Sequence, residues 1–82
     1  MIKKKRDGIK AIKEWCVNDG WVEDQYGNFK KTDSNENSVR IKLGKNSARY
    51  EIKDPFGWKR IKTVFYSKFF IDDNGKSQGW VR

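Results

Sequence analysis

Eighty-two residues, 1–82, make a single domain, and with four Trp, five Phe and three Tyr the composition excludes a disordered chain. A formal charge of +8, from 19 Lys and Arg against 11 Asp and Glu, favours an anionic partner over a basic one. Histidine is absent, which removes the usual general base and the commonest metal ligand, and the single cysteine excludes an intrachain disulfide.

After Met1 comes "IKKKR", residues 2–6, and residues 1–6 are expected to be a flexible basic arm, either frayed or reaching a partner. No apolar run follows that would serve as a secretory signal or a membrane span, and a lone cysteine suits a reduced compartment. A cytoplasmic location is therefore expected. Asp7 is placed to cap a helix beginning near Gly8 or Ile9. Ile9, Ile12 and Cys16 recur at helical spacing, flanked by Ala11 and Trp15, and Asn18-Asp19-Gly20 supplies a stop.

"GWVEDQYGNFKK" follows and reads as a tight hairpin or irregular turn around Gly27-Asn28. "TDSNENS", residues 32–38, has no apolar residue and reads as a mobile loop. "VRIKLGKNSARYEIK", residues 39–53, alternates apolar and polar residues on both sides of a Gly-Lys-Asn turn. With Lys45-Asn46 in the turn, Leu43 faces Ala48, Ile41 faces Tyr50 and Val39 faces Ile52, an all-apolar face. Arg40 then opposes Glu51, and Lys42 opposes Arg49.

"DPFG", residues 54–57, has the residues of a type I turn and folds "WKRIKTVFY" back as a third strand. The simplest register sets Ile61 against Tyr50 and Thr63 against Ala48, with Phe65 on the core side. Arg60 then opposes Glu51, and Lys62 opposes Arg49. Past Tyr66 the alternation loses phase, which calls for a kink, bulge or helical turn at Ser67-Lys68. Asn74-Gly75 signals another hairpin, with "WVR" as its short returning strand. The fold class is α+β: one N-terminal helix packed on one face of a small, mainly antiparallel β-sheet.

The face of that sheet turned away from the helix collects Arg40, Lys42, Arg49, Lys53, Trp58, Arg60 and Lys62, with Glu51 as its only acid. Same-face neighbours lie roughly 5–7 Å apart, and like charges directly opposite each other destabilise a sheet. Many of the acids sit elsewhere: Asp19, Glu23 and Asp24 early, Asp33 and Glu36 in the loop, Asp72 and Asp73 late. Segregated cations beside an aromatic ring suit phosphate contact with base stacking. Trp58 is either that stacking platform or a buried residue closing the end of the sheet.

Catalysis is not expected. Cys16, on a helix face and without a histidine, reads as a core thiol, not a nucleophile. Glu51-Ile52-Lys53 has a spacing also found on nuclease core strands, but no upstream acidic ligand accompanies it. "IDDNG", residues 71–75, lacks the alternating ligands of a calcium loop and is better read as a hairpin turn. No cofactor is expected. Helix-then-three-strands is also how double-stranded-RNA-binding domains begin, but the closing helix and its lysine cluster have no counterpart here, so no family is assigned.

The leading expectation is a small basic nucleic-acid-binding domain of low sequence specificity, DNA or RNA, and no membrane contact. The alternative is a protein-interaction or inhibitory module that docks on an acidic partner. Its contact would be the same cations or an aromatic surface of Phe69, Phe70 and Trp80.

Overall fold

The computed structural model describes residues 8–82. The expected basic arm at 1–6 and the expected cap at Asp7 lie outside the described residues. Helix α1 runs Gly8–Asn18, and five strands follow: β1 Val22–Glu23, β2 Phe29–Thr32, β3 Ser38–Leu43, β4 Ser47–Asp54 and β5 Gly57–Phe65. A turn of 3₁₀ helix, Tyr66–Lys68, replaces the lost alternation and leads to a small separate hairpin of β6, Phe70–Ile71, and β7, Ser77–Gln78.

β1 to β5 form one antiparallel sheet in chain order, so every strand pairs with its sequence neighbour. The helix lies on one face of it, and the α+β expectation holds. The β3–β4 register is the expected one in every pair, from Val39 opposite Ile52 to Leu43 opposite Ala48. The segment read as a hairpin or turn around Gly27 supplies β1 and β2, which extend the sheet by pairing Lys30 with Arg40 and Phe29 with Ile41.

Three loops share one construction. In Asp24–Asn28, Asp33–Asn37 and Asp72–Lys76 the aspartate accepts two backbone N–H bonds, from the residues two and four positions on, at 2.8–3.0 Å. The fourth residue of each takes positive φ: Gly27 at 84°, Glu36 at 65° and Gly75 at 80°. The short aspartate side chain stands in for a backbone acceptor, which is why Asp recurs at the start of such turns. So "TDSNENS" is a hydrogen-bonded hairpin loop, and "IDDNG" is the turn between β6 and β7.

The core lies between α1 and the sheet and joins Ile12, Cys16, Trp21, Phe29, Val39, Ile41, Ala48, Val64 and Phe69. Each fully buried large side chain contributes roughly 1.5–3 kcal/mol by leaving water. Five aromatics close a ring around this core. Trp15, Trp21, Tyr50, Trp80 and Phe69 meet in sequence, with centroids 5.7–6.4 Å apart. Most of these contacts are edge-to-face, the arrangement aromatic quadrupoles prefer.

β5 departs from the expected register. Arg60 opposes Glu51 as anticipated, but Lys62 opposes Tyr50, Thr63 opposes Arg49 and Val64 opposes Ala48. Ile61 is the extra residue of a β-bulge, and one inserted residue inverts the facing of everything beyond it. Val64, not Thr63, is therefore buried against Ala48, while Ile61 and Phe65 are exposed. The inversion also turns the backbone of Thr63 outward, where it exchanges two 2.7 Å hydrogen bonds with Val81. The terminal "WVR" thus bridges to β5, and Ser77–Gln78 forms the return strand of the last hairpin.

Candidate nucleic-acid interface

Strand pairing assigns the helix-free face. From β2 it takes Lys30, from β3 Arg40 and Lys42, from β4 Arg49, Glu51 and Lys53, and from β5 Trp58 and Arg60. Six of the seven residues anticipated from the sequence come together here. Lys62 does not. Beyond the bulge it faces the helix side, its ammonium 5.1 Å from the Tyr50 ring centroid and 5.4 Å from that of Trp80. Its ammonium thus lies over two core aromatics, a cation–π placement that the ring quadrupoles favour. Lys62 therefore leaves the patch, and Lys30 enters it. Lys30 was missed because "NFKKT" is too short to show an alternation.

Glu51 organises the centre of the face. It is 6% exposed, although it lies on the side without a helix. Arg40 Nε donates to Glu51 Oε1 at 2.6 Å, and the Arg40 guanidinium stacks on Trp58 at 4.2 Å from the ring centroid. One acid thus fixes one arginine, and the arginine fixes the indole. Trp58 is half-buried at the edge of the basic patch, so it combines both readings the sequence offered. Arg40 is already neutralised. Lys42, Arg49, Lys53 and Arg60 are exposed and make no ion pair among the described residues. Lys30 is held only loosely, 3.7 Å from Asp24.

At the end of the sheet where β2 stops and β3 begins, the face is concave. A groove of about 310 Å³ is lined by Lys30, Lys31, Thr32, Ser38, Val39, Lys53 and Trp58. Lys31 is committed to Asp19, donating to its carboxylate at 3.0 Å and its carbonyl at 2.9 Å. Lys53, and Lys30 on release from its 3.7 Å pair with Asp24, remain to meet an anion there.

The other anticipated surface is taken apart by the core. Phe69 is 2% exposed and the partly buried Trp80 packs against it and Tyr50, so of Phe69, Phe70 and Trp80 only Phe70 is fully on the surface, at 53% exposed. Cys16 is fully buried, and burial pushes its thiol up to about 12, with the Asp19 carboxylate adding to the shift. No helix of the described residues is long and apolar enough to cross a membrane. No group of three or more His, Cys, Asp and Glu among the described residues is placed to hold a metal ion.

Comparisons with known proteins return no matching family model, no similar curated protein and no similar solved structure.

Proposed function

We propose that this protein is a cytoplasmic nucleic-acid-binding module that lays the helix-free face of its sheet along a phosphate backbone, with little sequence preference. The observation that carries the reading is the one-sided charge of that face. Lys42, Arg49, Lys53 and Arg60 share it without an ion pair among the described residues, Lys30 joins them 3.7 Å from Asp24, and the acid at its centre, Glu51, is consumed by Arg40. Crowded unpaired cations cost stability in a sheet, and an external polyanion relieves that cost.

The protein works as a binder and not as an enzyme. Its sequence has no histidine, its cysteine is a buried neutral thiol, and Glu51 of the nuclease-like tripeptide is engaged by Arg40.

Fluorescence anisotropy with labelled oligonucleotides at two salt concentrations tests the reading. Five phosphate contacts on a single strand give a slope of log K against log salt near −3.5, or about 100-fold weaker binding at 200 mM than at 50 mM salt. Affinity that does not change with salt, or no binding at 50 mM, overturns it.

One observation favours a second reading, docking of an acidic protein. Phe65 and Val81, both about half exposed, flank Thr63 on the same face beside Arg49. If that apolar strip is a protein contact, Phe65→Ser weakens the protein complex and leaves oligonucleotide binding alone.

A further inference from the structure

We infer that the strand this face accepts is single-stranded, and that the groove takes one unstacked base against Trp58 with its phosphates on Lys30 and Lys53. The inference rests on the nucleic-acid reading above and narrows it.

The indole of Trp58 lines the groove, whereas Arg40, which stacks on the same ring, is absent from the lining. Arg40 and its partner Glu51 thus hold the indole without lining the groove, while the Lys53 ammonium, which does line it, lies 5.8 Å from the same ring centroid. The ring is held in position before any ligand arrives, and so costs little further ordering on binding. A volume of about 310 Å³ falls at the lower end of small-ligand sites, and the lining joins one aromatic wall to two hydroxyls, Thr32 and Ser38, and to the ammonium groups of Lys53 and of Lys30, the latter 3.7 Å from Asp24. This is the chemistry of a nucleotide: a π-face, hydrogen-bonding edges and a charged phosphate. In a duplex the base faces are covered by their neighbours, and a concave aromatic wall is reached only by a base that has left the stack.

A second aromatic lies at the hairpin tip two residues before Trp58, outside the groove lining. Lys53 pairs with Trp58, Asp54 with Gly57, and the tip of that hairpin carries Phe56, which is 97% exposed. Its N–H is tied to Asp54 Oδ1 at 2.8 Å, so its backbone is ordered although its ring packs on nothing. A fully exposed Phe contributes nothing to the core. Two residues from Trp58 along the chain it offers a free ring for a neighbouring base to stack on, and sequence-tolerant single-strand binders are built of such ring and cation pairs.

The test compares oligo-dT, a blunt duplex of equal length and inorganic polyphosphate, all at about 100 mM salt. Oligo-dT is expected to bind at least about ten-fold tighter than the duplex and to change tryptophan fluorescence. That change disappears in Trp58→Phe, which keeps a stacking ring and most of the affinity. Polyphosphate competes for the lysines without moving the fluorescence, because it has no bases. Phe56→Ala weakens oligo-dT binding about 5-fold or more and leaves duplex and polyphosphate binding unchanged. The exposure of Phe56 makes this variant independent of folding. Duplex binding as tight as single-strand binding overturns the inference and leaves the parent reading standing, as does Phe56→Ala with full oligo-dT affinity. If none of the three polyanions binds, both readings fall together.

Discussion

Arg40 and Glu51 face each other across β3 and β4 with 2.6 Å between Nε and Oε1, on the side of the sheet that no helix covers. Their side chains are 21% and 8% exposed. A carboxylate so shielded needs its partner, since removing one member of a buried pair leaves an uncompensated charge. Arg40→Ala is expected to lower stability by about 2–4 kcal/mol, measured by urea unfolding. The double variant Arg40→Met with Glu51→Leu recovers most of that loss, because apolar groups of similar size carry no desolvation cost. Equal losses in the single and double variants would show that packing, not charge, is what Arg40 supplies.

Glu36 occupies the left-handed position that glycine holds in the two sister loops, with φ at 65°. A side chain there costs roughly 1–2 kcal/mol, part of which glycine returns as unfolded-chain entropy. Glu36→Gly is expected to raise stability by about 0.5–1 kcal/mol in urea melts. A destabilised variant would mean that Glu36 makes a contact worth more than the strain.

The three loop aspartates are expected to make folding acid-sensitive. Backbone N–H bonds from Asn37 and Asn35 hold the Asp33 carboxyl below its ordinary value of 3.8, and bonds from Lys76, Gln78 and Asn74 do the same at Asp72. At Asp24, partial desolvation works upward but is outweighed by bonds from Asn28 and Tyr26 and by the Lys30 charge. A carboxyl depressed in the folded state contributes its stability above the ordinary value and loses it as pH falls through the folded value. Stability should therefore hold from pH 7 to about 5 and decline from about pH 4 downward. Asparagine at all three positions flattens the decline, because its amide oxygen accepts the same bonds without titrating. An unchanged acid limb in that variant would place the acid sensitivity elsewhere.

Cys16 is expected to resist alkylation. With the thiol pushed up to about 12, only about one molecule in ten thousand is thiolate at pH 8, and burial blocks access as well. Labelling by iodoacetamide should follow the urea unfolding curve. Fast labelling of the native protein would show that the helix lifts off the sheet.

The bulge at Ile61 makes two neighbouring cations differ in role. Arg60 lies on the proposed interface and Lys62 on the helix side. Arg49→Glu with Arg60→Glu should abolish oligonucleotide binding without unfolding the protein, whereas Lys62→Gln leaves binding within about two-fold. A matching loss from Lys62→Gln would mean that the helix side carries the contact.

Local rules carried the reading of this sequence through most of the fold. The helix stop at Gly20, the alternation of 39–53 and the turn at 54–57 each follow from the preferences of a few adjacent residues. Those preferences agreed with one another, so β3 and β4 met in the expected register and six of seven candidate residues shared a face. What tertiary structure alone decided began at Ile61. Two parities of "RIKTVF" are both plausible along the strand, one burying Ile61 and Phe65, the other Val64. The choice depends on how Val64 fits against Ala48, how Lys62 covers Tyr50 and Trp80, and how Thr63 meets Val81. Those partners come from other strands and from the far end of the chain, so no local window contains the answer. The groove has the same origin, since its walls come from β2, β3, β4 and β5 and exist only once the sheet has assembled.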